Sequence, residues 1–270
     1  MATKHRLIRQ KAQSLDEQYF NEIRPRLYEL HSDRTQSGSR QGRSFAEHLD
    51  SACQFVLTVS KIAAVPDDKR ACILAATAVH DLNKFLEAKG RNVKKLARDS
   101  EFLKARLQEA GVESWVKTPE DLELVRRLIE RHSGHSASDG ARFLPEDPEI
   151  KRWAAMLIGG DLYDLGIPEE ERIRKVENEL TVAFRKNTRL FRVGLSEDHG
   201  YLTALLLAAC EDVLHVHGLA TLAIDPDGQL FIGESFPEED LTNAIAQKWY
   251  RKINKVFGGN VEQLVKASKD

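Results

Sequence analysis

Four successive segments of this chain each carry a side chain of the kind that binds divalent metal ions. His48 lies within SFAEHLDS, His80 and Asp81 close ATAVHD, His132 and His135 flank Gly134 in ERHSGHS, and Asp161 follows two glycines in LIGGDLY. Neutral imidazole nitrogens and carboxylate oxygens together suit one or two ions such as Mn, Ni, Mg, Fe or Co. Each residue taken singly has an ordinary reading. A histidine within a helix is commonly a half-buried core residue, and a His-Asp pair is a common polar helix end. The weight comes from their company.

The run before the His-Asp pair sharpens the point. Ala71 to Val79 is apolar on nearly every side, as expected of a buried helix. An aspartate buried at its end costs several kcal/mol unless compensated, so His80 and Asp81 either emerge at a polar rim or face a cation. If the helix continues through them, the two side chains diverge by about 100° and share an ion only near its edge. Asp81 has two oxygens and can bridge two ions. Lys84 lies one turn after His80 on the same face; it cannot ligate a metal but can meet a substrate phosphate. His132 and His135 can both reach a second ion.

These residues need helices to position them, and the pattern supplies them. Helical spacing runs over 13–31, interrupted by Pro25, and a flexible Ser/Gly/Arg-rich loop over 32–43 precedes a strong helix from Ser44 to Ala64. The next helix starts at Pro66 and runs to about Ala88, with Gly90 as a stop. A charged helix follows over 92–110. Thr118-Pro119-Glu120-Asp121 has an N-cap, a proline at N1 and an acidic first turn. Pro148 opens a further helix, and 168–186 another. Beyond about 188 the character changes. RLFRVGL reads as a strand, 199–215 as an apolar helix, LATLAIDPDGQLFIG as a hairpin, and 238–256 and 260–268 as amphipathic helices. The expected architecture is therefore mainly α, a helical bundle over 1–188 with a small α/β appendage over 189–270.

Composition excludes some roles. The chain has 270 residues, 41% hydrophobic and 30% charged, with a net charge of −2. That balance argues against a partner bound through bulk positive charge, but permits a local basic patch. KFLEAKGRNVKKLAR, 84–98, supplies one: Lys84, Lys89, Arg91, Lys94 and Lys95 could follow a strand's phosphates, with Arg43 as a second clamp beside His48. The plainer reading of that run is a solvated helix face. Cys53, Cys72 and Cys210 form no CxxC pair and read as free core thiols of a reducing compartment. No apolar run reaches the ~18 residues of a membrane span, so a cytoplasmic protein without membrane contact is expected. Gly159-Gly160-Asp161 superficially suggests a GGDD polymerase or cyclase signature, but the second adjacent acid and the strand-turn-strand context are missing.

The order His48, His80-Asp81, His132, His135, Asp161 resembles the HD superfamily of metal-dependent phosphohydrolases. More narrowly, HDLNK at 80–84, GRSFAEH at 42–48 and DPDGQLFIG at 225–233 resemble the N-terminal HD nuclease region of the large subunit of type I-D CRISPR interference complexes. The chain departs from the commoner HD-nuclease signature at Asn83, where that signature has glycine. The resemblance implies an HD-type bundle in which His48, His80, Asp81 and Asp161 hold one metal, and Asp81, His132 and His135 a second. It implies that Lys84 contacts the scissile phosphate and that Asp81 and Lys84 carry the catalysis. The activity implied is cleavage of single-stranded DNA in antiviral defence, by attack of a metal-bound hydroxide on phosphorus. The implied partners are that DNA, other subunits of the complex and a helicase. HD domains also hydrolyse nucleotides and cyclic dinucleotides, which is a second expectation. A scaffold with an idle ligand set is a third.

Overall fold

The computed structural model describes residues 13–35, 42–85, 88, 90–133, 147–194, 200–216, 218–225, 228–234 and 238–257. Its architecture is mainly helical with one small antiparallel sheet, as expected. A short helix α1 (Leu15–Gln18), a widened turn (Tyr19–Ile23) and α2 (Arg24–His31) lead to α3 (Phe45–Ile62) and α4 (Asp67–Val79). After a tight 3-10 turn (Leu82–Lys84) come α5 (Val93–Arg98), α6 (Ser100–Glu109), α7 (Pro119–Ser133), α8 (Pro148–Tyr163) and α9 (Glu169–Phe184). The rest is β1 (Arg189–Gly194), α10 (Gly200–Val216), β2 (Ala220–Asp225), β3 (Gly228–Gly233) and α11 (Glu238–Phe257). No described helix is long and apolar enough to cross a membrane.

The burial of α4 follows from its sequence. Arg70 to Val79 are all buried, including Cys72, Ile73, Leu74 and four alanines. The small side chains let α3, α7 and α8 pack closely around it. Cys53, Cys72 and Cys210 are free and buried.

Two expected helices end differently. The α4 helix stops at Val79, rather than continuing to about Ala88; the chain then turns through Asp81 at φ −87°, ψ 51°. The charged stretch over 92–110 is two helices. Asp99 leaves helical geometry at ψ 96°, and its carboxylate accepts from the Phe102 amide at 3.1 Å, capping α6.

The sheet has strand order β1-β3-β2 and is antiparallel throughout, with the hairpin register closing at Asp225↔Gly228. Its alternation sorts two cores. Leu230 and Ile232, with Leu190 and Ala220, join the large core of the helical bundle. Phe231 and Phe191 face the other way, into a second cluster with Cys210 and Leu214 of α10 and Ile245 of α11. The helix expected over 260–268 lies outside the described residues.

The N-terminal helices are fastened to α3 by one buried carboxylate. Asp50, 4% exposed, accepts from Tyr19 Oη at 2.7 Å, Gln54 Nε2 at 2.8 Å, Arg24 Nε at 2.9 Å and Tyr28 Oη at 3.0 Å. Removing the acceptor leaves the buried Tyr19 hydroxyl with only the long 3.4 Å contact to the Asp50 backbone carbonyl and releases three further donors. Asp50→Ala is expected to lower unfolding free energy by about 3 kcal/mol in urea denaturation. A change below about 1 kcal/mol would show that the network is dispensable.

Candidate metal centre

His48 is carried by α3, whose start is set by a reciprocal cap. The Ser44 hydroxyl accepts from the Glu47 amide at 3.1 Å, and the Glu47 carboxylate accepts from the Ser44 amide at 2.7 Å. This local reason underlies the SFAEH spacing and fixes His48 one turn into the helix. A bridge between Thr35 and Ser44 holds the base of the loop before it.

His80 and Asp81 reach the same point from the end of α4. His80 Nδ1 donates to the Thr77 carbonyl at 2.7 Å, so its Nε2 carries the lone pair when the ring is neutral. The helix ends before Asp81, so the divergence expected of two adjacent helical residues does not arise. Asn83 lies in the following turn without positive φ, so its backbone does not require the glycine of the commoner signature.

The α8 helix brings Asp161. Gly160 makes this possible: a Cβ there would stand 2.9 Å from the Ala52 carbonyl oxygen of α3, and one at Gly159 would stand 3.1 Å from the Phe55 ring. Two glycines thus let α8 touch the backbone of α3 one turn beyond His48.

The outcome is a group of four side chains whose donor atoms all lie within 4.8 Å of one another: His48, His80, Asp81 and Asp161. His48 Nε2 lies 3.3 Å from His80 Nε2, 3.4 Å from Asp161 Oδ1 and 3.5 Å from Asp81 Oδ2. His80 Nε2 lies 3.4 Å from Asp161 Oδ1 and 3.7 Å from Asp81 Oδ2. Two ligands held ~2.1 Å from one ion sit ~3.0 to 3.4 Å apart at octahedral to tetrahedral angles. The observed spacings therefore fit a single divalent ion with little movement. Both imidazoles are fully buried, while Asp81 and Asp161 are 14% and 19% exposed. The group is thus closed at the back and opens through its carboxylates.

The electrostatics fit a cation. Burial favours protonated Asp81, but His80, His48 and Lys84 outweigh it and hold the carboxyl far below its usual range. Asp161 is held low against burial by His132 and His80. Burial opposes a charged His48, yet Asp164 and Asp81 beside it raise its affinity for a proton. Two ionised carboxylates facing two imidazoles make a donor set ready for a metal.

The other expected residues fall around this group. His132 Nε2 lies 3.2 Å from Asp161 Oδ2, and its ring meets that of His80 edge-on at 4.7 Å. Lys84 Nζ lies 2.5 Å from Asp81 Oδ2 and 5.8 Å from the centre of the Phe45 ring. Arg43 Nη1 lies 3.8 Å from Asp164 Oδ2. The Arg91 guanidinium lies over the Phe102 ring, 5.8 Å from its centre. Lys94 and Lys95 lie on α5, which packs against the turn that carries Lys84. His135 and Lys89 lie outside the described residues.

His31 and Phe45 escape sequence reasoning, whereas Asp164, one turn after Asp161, reads from the sequence as the fallback for the last ligand. Asp164 is no ligand alternative to Asp161; it lies behind His48, with Oδ1 3.2 Å from Nδ1. His31 is buried against Phe45 and Phe85, and burial together with nearby Arg34 pushes its pKa down to about 4. Phe45 stacks toward His48 with ring centres 6.4 Å apart. Only the i+3 spacing of Asp164 from Asp161 offered a signal. No protein-family model matches the chain, and no curated protein matches it at a significant level.

Two expectations follow from this geometry. Mn(II) at about 100 times its Kd should raise unfolding free energy by about 2.7 kcal/mol, reversibly with EDTA, and Asp161→Ala should abolish the gain; an equal gain in that variant would sink the site. Gly160→Ala should weaken Mn(II) binding and cost about 1–3 kcal/mol of stability, because α8 must move off α3. Calorimetric titration beside thermal melts reads both.

Proposed function

We propose that this chain is a divalent-metal-dependent phosphodiesterase that cuts single-stranded DNA, working in the cytoplasm within a CRISPR interference complex of the kind its motifs resemble. One observation carries the reading: a four-donor metal group whose open carboxylate edge bears a lysine. Lys84 stands against Asp81 there, while Arg43 meets Asp164 behind His48. A phosphodiester bears a single negative charge spread over two free oxygens, and this edge offers it the ammonium of Lys84.

In this reading His48, His80, Asp81 and Asp161 hold the first ion. His132, already against Asp161, serves a second ion with Asp81 and His135. A bound divalent cation supplies Lewis-acid polarisation of the phosphate and activation of water. Asp81 and Asp161, held ionised, keep the donor set charged. Lys84, whose ammonium lies over Phe45, would take a free phosphate oxygen. The rings behind the site keep water away from the buried imidazoles. Contacts of this kind read phosphate and not base, so cutting should show little sequence preference.

The choice of a polymer over a nucleotide rests on where the cations are. The side chains of Lys84 and Arg43 are 34% and 53% exposed, and Lys94 and Lys95 continue from the turn of Lys84 along α5. Cations at a rim suit a strand crossing the site. Other subunits and a helicase would deliver that strand.

The test uses the chain with labelled single-stranded and duplex DNA, single-stranded RNA and a nucleotide panel, each with Mn(II), Ni(II), Mg(II) or EDTA. Metal-dependent cutting of single-stranded DNA that drops to the EDTA background in Asp81→Ala is expected. Lys84→Ala should cut at least ~100-fold more slowly while still binding metal. Turnover of nucleotides without any polymer cleavage would replace the nuclease reading with a nucleotide hydrolase.

A further inference from the structure

The two imidazoles of the metal group are oriented by different means. His80 is held by the carbonyl of Thr77, a bond the end of α4 supplies from its own backbone. His48 sits within α3, where the helix uses its carbonyls for itself. Its Nδ1 instead faces a side chain from another helix, Asp164 Oδ1, at 3.2 Å. Asp164 caps α8 at φ −104°, ψ 17°, is 4% exposed, and turns its other oxygen, Oδ2, to Arg43 Nη1 at 3.8 Å.

We propose that Asp164 is the positioning residue of the metal centre, and that Arg43 sets the way Asp164 faces. The proposal rests on reading His48 as a metal ligand. A carboxylate only accepts hydrogen bonds, so when Nε2 is given to an ion, Asp164 holds the ring's proton on His48 Nδ1. That leaves the Nε2 lone pair aimed at the point where His80, Asp81 and Asp161 converge. Carboxylates placed behind ligating imidazoles in this way fix the ring's tautomer and raise its basicity as a ligand. Arg43 comes from the GRS sequence just ahead of the Ser44 cap, so the start of α3 reaches the metal group through Asp164 as well as through His48.

The chemistry of one isosteric change follows. In Asp164→Asn the side chain keeps its shape but gains a donor. Arg43 attracts the amide oxygen and leaves the amide nitrogen facing His48. His48 must then accept at Nδ1, so its proton moves to Nε2, where it points into the metal group and removes the lone pair. Metal affinity falls while the fold stands.

Mn(II) affinity by calorimetry and the ring-nitrogen NMR shifts of His48, in the chain with diamagnetic Zn(II) at the concentration that saturates the wild type, test this together. The expected result for Asp164→Asn is Mn(II) binding about 10- to 100-fold weaker, a proton moved from Nδ1 to Nε2, and an unchanged metal-free melting midpoint. Adding Arg43→Ala frees the amide to turn and should return part of the affinity. Unchanged affinity and tautomer in Asp164→Asn would overturn the proposal. So would weaker binding with the tautomer unchanged, the mark of a packing defect. The wild-type tautomer is a separate check: a proton found on Nε2 there overturns the proposal even if the variant does not fold. No substrate enters these measurements, so a chain that cuts no DNA sinks the nuclease reading and leaves the role of Asp164 to be decided here.

Discussion

Everything at the site depends on how closely α8 can approach α3. Any side chain at Gly160 would meet the Ala52 carbonyl at 2.9 Å, so the two helices touch backbone to backbone. His48 lies one turn before Ala52, and Asp161 directly follows Gly160. The contact therefore sets the 3.4 Å between His48 Nε2 and Asp161 Oδ1. Metal–ligand distances tolerate only about 0.2 Å, so a spacing widened by one methyl group would leave Asp161 short of an ion held by His48. The same contact delivers Asp164, one turn further on, to the back of the His48 ring. One pair of glycines thus places both a ligand and the group that orients another.

That approach concentrates charge in a place that disfavours it. Asp81 and Asp161 lie close together, and burial pushes both toward protonation. Both stay ionised because imidazoles and Lys84 surround them. The arrangement differs from the Asp50 network, where a buried carboxylate meets four donors and nothing further is needed. At Asp50 each oxygen receives two hydrogen bonds, a closed set. At the metal group the imidazole nitrogens converge on one another, and His80, by its bond to Thr77, presents a lone pair there. Donor atoms facing one another across an interval suited to an ion distinguish a binding site from a structural salt bridge.

Much of this could be read from residue types in order. The ligand residues sit in short local patterns, and a helix boundary such as Ser44 with Glu47 is set by neighbours in sequence. The hairpin, β1 and the helices over 45–62 and 148–163 were legible for the same reason. What could not be read turns on contacts distant in sequence. The end of α4 at Val79 was hidden because apolar residues and good helix formers continue through Phe85 and Ala88. The break is sustained by Asp81 joining groups from α3 and α8. Asp99 did carry the chemistry of a cap, but in a charged run it looks like one more surface residue. Asp164 and Asp161 are both carboxylates near the end of α8, and only their distances to His48 and His80 separate orienting group from ligand. His31 has no local companion at all; Phe45 and Phe85 reach it from other segments.

The charges at the open edge bear on why a lysine belongs there. Asp81 and Asp161 contribute two negative charges, and Lys84, 2.5 Å from Asp81, returns one positive. Arg43 and Asp164 offset each other. A divalent ion turns the remaining single negative charge into a single positive one. In the proposed reading a phosphodiester brings one negative charge, so the site holding its first ion and that substrate would together be neutral. At ~4 Å and an effective dielectric constant near 20, each unit charge is worth about 4 kcal/mol, so an imbalance of one would be felt strongly in binding. Without Lys84 the loaded site would be neutral and would hold the phosphate only through the ligand field of the ion. With it, an ion held by Asp81 would also loosen the hold of that carboxylate on Lys84. In the proposed reading the lysine that balances the carboxylate before the ion binds would be freed toward the phosphate afterwards, so that metal loading and substrate binding would favour each other.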